Sequence, residues 1–340
     1  MLSRVRRSNA LFTSSKISTL SLRPILGSSK RLFSSTDDTL SRDDFDHTVT
    51  SLRSFFTEKG WKEVTMQHRP SILAACEDPW NLVPFTFQGV TWPLPQTSQM
   101  WLEWELLNHP NVPGIFTLST SYRAEPDPIP GRHQTIFPMF EIEGKGDYVD
   151  LRRTLKEMFQ HLGFGKQETF RDINYCDACA EVGAKSIEAK EEGELCQKFG
   201  NILFINRFPE ESFPFWNMKR EPSAIPVHVD EHIEWKPITI ARKTDVVAYG
   251  HETVGGAERE TDPNKMRNCF ETISDGKYAA KLRELFGKER VQEEMDQFLS
   301  LDFFTRFGAG IGIHRLVRAE KLHNILPNTP HPLYPQYSII

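Results

Sequence analysis

No run of apolar residues in this sequence approaches the roughly 18 to 20 needed to cross a bilayer, so a membrane partner is not expected. Cysteine is also sparse. Cys76, Cys176, Cys179, Cys196 and Cys269 are odd in number and mostly scattered, which argues against a disulfide framework and for reduced thiols. Cys176 and Cys179 form one CxxC, but no second pair stands at a spacing that would complete a four-ligand zinc site. Acidic residues are missing from the first 36 positions, which carry Arg4, Arg6, Arg7, Lys16, Arg23, Lys30, Arg31 and ten serines.

That bias is the composition of an organellar transit peptide, the plainer alternative being a basic tail. In Arg31-Leu32-Phe33-Ser34-Ser35 an arginine precedes and serines follow a candidate mitochondrial processing point. Residues 1–33 are therefore assigned to a leader cleaved near Phe33, with a mitochondrial destination expected and a plastid one as the alternative. The segment to residue 36 contributes seven positive charges, so the −5 of the whole chain becomes about −12 without it. A protein of that charge attracts nucleic acid poorly as a body, and any such affinity must come from local basic patches.

The helical spacing of Phe45, Val49, Leu52, Phe55 and Phe56 predicts a helix over 43–59, ended by Gly60 and followed by a strand over 61–66. Proline-rich chain through Trp80, Pro84, Pro93 and Pro95 reads as irregular, and 96–108 as a second helix. Strands are expected over 114–125 and 133–143. Their connection, Pro126-Asp127-Pro128-Ile129-Pro130-Gly131, is too long for a tight hairpin and is a candidate substrate lid. An amphipathic helix over 147–162 places Tyr148, Leu151, Leu155, Met158, Phe159 and Leu162 on one stripe. Residues 171–199 read as polar helices within an insertion over 165–215. Strands return over 202–205, 237–247 and 251–254, followed by helices over 263–299, a glycine-rich run at 308–312 and a closing helix from Ile313. The pattern predicts one α+β domain over 40–340, an antiparallel β-sheet flanked by helices.

Chemistry-bearing residues fall into ordered motifs. Ser121-Tyr122-Arg123-Ala124-Glu125, the proline-rich loop, and Arg132-His133 through Phe137-Pro138-Met139-Phe140-Glu141-Ile142-Glu143 combine a strand-held arginine with a loop carrying further cations. A planar guanidinium grips phosphate bidentately, and an aromatic ring offers a flat face to a base. Asp245 to Glu252 reads as two strands turning at Tyr249-Gly250, which would set Asp245 opposite Glu252, a carboxylate pair suited to a hard cation such as Mg²⁺. Gly255-Gly256-Ala257-Glu258-Arg259 and Gly308-Ala309-Gly310-Ile311-Gly312-Ile313-His314-Arg315 each run from glycines to an arginine. A dinucleotide-binding reading of the second fails, because no βαβ unit or acidic ribose ligand follows.

In this order the motifs resemble those of the class II aminoacyl-tRNA synthetases, over about residues 43–325 and most like the asparagine/aspartate branch. Phe56 to Val64 resembles motif 1, the dimer-interface segment of the family. The resemblance implies the class II synthetase fold, a homodimer, and amino-acid activation by ATP and Mg²⁺ through an aminoacyl-adenylate. It implies that Arg123 and Arg315 are the catalytic cations. ATP would meet Arg123, Glu125, Arg132, His133, Phe137, Glu252 and Arg315, with adenine between Phe137 and Arg315. The metal would lie on Asp245 and Glu252, and the amino acid on Gln99, Glu141 and Arg259.

Two departures shape the expectation. Leu102 stands where aspartyl enzymes and ammonia-dependent asparagine synthetase place a lysine, whereas Gln99 to Glu103 follows the asparaginyl pattern. His314 precedes the motif 3 arginine where relatives carry Asp or Glu. The substrate is expected to be asparagine or aspartate. An anticodon-binding domain is not expected in 40–340, so the adenylate acceptor stays open between a tRNA acceptor end, ammonia and a protein amine. Aspartate–ammonia ligase and a non-catalytic regulatory paralogue are the alternatives.

Overall fold

The computed structural model describes residues 40–66, 78–129, 132–212, 214–229 and 232–326. The expected leader, Cys76, and Pro130-Gly131 of the expected lid lie outside them.

In chain order the elements begin with α1 (Arg42–Glu58), β1 (Lys62–Glu63), β2 (Pro84–Phe87), β3 (Val90–Pro93), α2 (Gln99–Asn108), β4 (Gly114–Tyr122), β5 (Ile136–Lys145) and α3 (Tyr148–His161). They continue with β6 (Arg171–Asn174), α4 (Tyr175–Val182), α5 (Ala189–Phe199), β7 (Ile202–Pro209), β8 (Arg220–Val229), β9 (His232–Ala248) and β10 (His251–Glu258). Helices α6 (Pro263–Thr272), α7 (Lys277–Phe286) and α8 (Lys288–Leu299), strand β11 (Arg306–Gly312) and helix α9 (Ile313–Leu322) complete the chain.

The main sheet runs β1-β4-β5-β11-β10-β9-β7-β6, with β8 paired to β9. Its interior is antiparallel, and the parallel pairs β1–β4 and β6–β7 stand at its two ends. This is the expected α+β architecture with a mostly antiparallel sheet.

Several elements differ from expectation. Of the strand expected over 61–66, Lys62–Glu63 is paired. Helix α2 starts at Gln99, because Gln96 exchanges hydrogen bonds with the backbone of Asp78 and the Ser98 N–H is drawn to Glu141. Arg171–Asn174 is a strand rather than helix, held parallel to Leu203–Asn206. The proline-rich stretch hides the hairpin β2–β3, with Pro84 facing Pro93 at its open end. Strand β9 extends well beyond the 237–247 expected, and its first residues pair with β8 alone in a projecting two-stranded ribbon.

Strand alternation gives the sheet two chemically distinct faces. Phe140 and Ile142 of β5, Phe307, Ala309 and Ile311 of β11, and Val246 of β9 join a core with α1, α3 and α9. Phe56, Phe116 and Phe140 stack through it. The opposite face carries Glu141, Glu143, Gly308 and Gly310, and α2 with α6–α8 packs on that side of the molecule around Met100, Trp216 and Phe270.

Trp61 locks the apolar side. Gly114 and Gly144 are register partners on β4 and β5, and a Cβ on either would be driven into its indole. The ring also lies 6.1 Å from that of Phe307. Gly60, at φ +77°, makes the turn that delivers Trp61 there from the end of α1.

The contact of α1 with α9 buries a carboxyl. Glu320 accepts from the Thr48 hydroxyl and lies near Asp44, which pairs with Lys321 at 2.5 Å. Burial pushes Glu320 up from 4.5 to about 7, against the Thr48 hydrogen bond and with help from Asp44. A raised carboxyl pKa means that the fold prefers the protonated form. Its stabilisation is complete below the unfolded value and is lost as pH rises through the folded one. Glu320→Gln is therefore expected to raise the melting temperature at pH 8 by a few degrees and to leave it unchanged near pH 4, up to ~3 kcal/mol being at stake. Thermal unfolding followed across this range checks it.

Candidate active site

Strand β4 ends where the chain must leave the sheet, and Arg123 follows directly. Its backbone N–H donates to Thr135 O at 2.8 Å, which fixes the mouth of the loop. Phe137 pairs with Ser121, and the Arg123 guanidinium lies 5.4 Å from the centre of its half-buried ring. Across the loop, His133 Nδ1 lies 2.9 Å from Glu125 Oε2. Arg132 reaches farther: one nitrogen pairs with Glu192 of α5 at 2.5 Å, and another donates to Gly250 O at 3.3 Å.

The β9–β10 turn lies between Tyr249 and Gly250, both at positive φ (51° and 77°). Arg315 of α9 donates to Glu252 O at 2.6 Å, and Arg318 to Tyr249 O at 3.0 Å. His251 is pushed down to about 3 by burial and by Arg318, Arg132 and Arg315.

The expected pairing of Asp245 with Glu252 is corrected by the register. The turn at Tyr249-Gly250 sets Glu252 opposite Val247, and a bulge between Glu252 and Val254 shifts the register by one residue so that Asp245 faces Gly255. The bulge nevertheless swings both side chains over Gly255, where a Cβ would sit 3.2 Å from Glu252 Oε1 and 3.3 Å from Asp245 Oδ1. Burial pushes Asp245 up to about 7, Lys243 at 2.6 Å opposing and the carboxylates of Glu252 and Glu192 adding to it. Asp245 Oδ1 is buried without a hydrogen-bond partner among the described residues. Two hard oxygen donors converging on one point suit a divalent cation, although no cluster of three or more His, Cys, Asp or Glu ligands occurs among the described residues.

Next to this lies a buried ionic network. Arg259 is 2% exposed, donates to Gln99 Oε1 at 2.6 Å, pairs with Glu143 at 3.1 Å and lies 3.5 Å from Glu103. Arg306 pairs with Glu103 at 2.5 Å, and Glu103 also accepts from Asn217. Glycine makes the room: a Cβ on Gly308 would overlap the Glu143 carboxylate and the Arg259 guanidinium, and one on Gly310 would press on Gln99 and Met139. Burial pushes Glu143 up to about 7, with Arg259 resisting and Glu103 contributing.

Glu141 sits differently from expectation. Its oxygens already accept from the Ser98 N–H at 2.8 Å, the Ser119 hydroxyl at 2.5 Å and Thr97, and the side chain is fully buried. Burial raises its pKa against those hydrogen bonds. It anchors the start of α2, one residue from Gln99. Leu102 packs with Leu106 and Ile115 and supplies no polar group. Glu103 and Glu143 stood in the sequence motifs without a role of their own, and Glu192, Arg306 and Arg318 were not singled out from sequence. The period-2 step from Glu141 to Glu143, and the placement of Arg306 two residues before Gly308, were the available signals.

An antiparallel sheet with motif-bearing strands at its centre and glycine-lined arginines on one face is the fold of the class II synthetases, proteins that bind ATP and an amino acid. The chain belongs to the tRNA synthetases class II (D, K and N), whose family model matches residues 44–324. Among solved structures it is similar to the asparaginyl-tRNA synthetase of Pyrococcus horikoshii complexed with asparaginyl-adenylate: TM-score 0.59, 21% identity, 82% of this chain and 64% of that one. It is also similar to the asparaginyl-tRNA synthetase of Entamoeba histolytica (0.59, 17%, 83% and 64%) and to the aspartyl-tRNA synthetase of that organism (0.57, 17%, 82% and 54%). At these identities the likeness is one of fold, and the chain spans less than two thirds of each of these proteins. No curated protein matches.

Proposed function

We propose that this chain activates asparagine with ATP, forming asparaginyl-adenylate and releasing pyrophosphate. The observation that carries the reading is the buried network around Arg259. Both of its arginines are committed to Glu103 and Glu143, so the pocket offers a balanced field lined by Gln99 rather than a free cation. A second carboxylate, as in aspartate, would be desolvated there without a new partner. An amide can donate to and accept from such groups.

In this mechanism adenine lies between Phe137 and Arg315, and Arg123 holds the α-phosphate. The asparagine carboxylate attacks that phosphorus in line while its side chain rests against Gln99 and Arg259. No side-chain nucleophile is needed, because alignment and charge stabilisation supply the rate. Asp245 and Glu252 would hold Mg²⁺, which neutralises charge as pyrophosphate departs.

The test is exchange of labelled pyrophosphate into ATP, run with each of the twenty amino acids. Asparagine-dependent exchange is expected, with aspartate at least about a hundredfold weaker, since an uncompensated buried charge costs several kcal/mol. Exchange with no amino acid would sink the adenylation reading, and exchange with aspartate alone would sink the choice of substrate. Supplying ammonium or total organellar tRNA then identifies the acceptor.

A further inference from the structure

Three arginines converge on one turn. Arg132 from the loop, and Arg315 and Arg318 one helical turn apart on α9, donate to the carbonyls of Gly250, Glu252 and Tyr249. Carbonyls orient guanidinium groups without neutralising them, and the nearby carboxylates of Asp245 and Glu252 form no ion pair with these three arginines among the described residues. The carboxylate that does pair comes from outside the motifs. Glu192, on α5 within the segment expected as an insertion, pairs with Arg132 at 2.5 Å, and the same oxygen accepts the Glu252 N–H at 2.9 Å. Its side chain is 10% exposed, and a carboxylate so enclosed is bound to its cation for electrostatic reasons as well as for geometry.

We propose that Glu192 is a displaceable counter-ion: it holds Arg132 while nucleotide is absent and yields it to the outer phosphates of ATP, or to free pyrophosphate, when these arrive. The inference rests on the ATP reading above. A polyphosphate carries several charges and can engage all three arginines, whereas Glu192 engages one, so exchange of partners favours the phosphate. Glu192 need not leave the site, because its bond to the Glu252 N–H survives the loss of Arg132. Affinity at the outer phosphates is thereby tied to α5. A ligand with a single phosphate, held at Arg123, does not compete with Glu192.

Calorimetry on the full chain tests this with ATP, inorganic pyrophosphate and AMP as probes. Glu192→Gln keeps an acceptor for the Glu252 N–H and removes the charge. Its Kd for ATP and for pyrophosphate is expected to fall about tenfold, with AMP unchanged. The gain should vanish when Arg132→Met is added. Unchanged ATP and pyrophosphate affinity, or weaker binding of all three probes, would overturn the proposal, the latter by showing a purely structural role. Should the wild type bind ATP and pyrophosphate yet exchange with no amino acid, adenylation falls while the Glu192 comparison is still decided on Kd. A wild type that binds neither overturns both.

Discussion

Arg123→Ala is expected to lose about three orders of magnitude in asparagine-dependent pyrophosphate exchange, the scale on which removal of a transition-state cation is felt. The position explains the size. Arg123 stands at the end of a strand buried on its core side, with its N–H bonded to Thr135 and its guanidinium against Phe137. The fork is thus oriented in advance, and in the proposed reaction little reorganisation is needed as charge develops at the α-phosphorus. Arg123→Lys should recover only a small part, because an ammonium cannot present two parallel N–H donors. Melting temperature serves as the control and should move little. An alanine variant that kept full exchange would remove Arg123 from the reaction.

The second large effect concerns stability. Arg306→Met should cost about 3–5 kcal/mol, because it strands Glu103 fully buried beside Glu143 with one cation removed from the network. Denaturant unfolding measures it, and a fall of about 10 °C in melting temperature should accompany it. Adding Glu103→Gln to Arg306→Met should restore roughly half of the loss, since the amide needs no counter-charge and still meets Asn217. If the double variant is less stable than the single one, the penalty is one of packing and not of charge.

Much of this was legible in the sequence where local chemistry and tertiary role coincide. The stripe of α1 is buried as its spacing required, and α3 begins at Asp147, whose carboxylate caps the helix in a capping box with Asp150. Strand β4, which ends at Tyr122 rather than at the expected 125, pairs with the strand of Phe137 and leaves Arg123 one residue past its end, and Arg315 follows the glycines of β11, the next strand but one. The failures have equally physical causes. Strand β8, which was not expected, carries Pro222 and Pro226, and it pairs with β9 alone among the described residues, where a strand tolerates proline. A two-residue turn at Tyr249-Gly250 already sets Glu252 opposite Val247, two residues from Asp245, so the expected pairing miscounted the hairpin register, and the bulge beyond Glu252 only brings Gly255 opposite Asp245. Glu141 was assigned to the amino acid by the resemblance of its motif to the asparaginyl pattern. That Thr97, Ser98 and Ser119 would take its oxygens depends on the packing of α2 against β5. Arg306 and Glu103 lie 203 residues apart, beyond any local pattern.

The indole of Trp61 fills the volume that two paired glycines leave vacant, so Gly114, Gly144 and Trp61 hold one shared space among three codons. A lineage that shrinks the tryptophan inherits a void beneath the strand bearing Arg123, and one that enlarges either glycine inherits a clash.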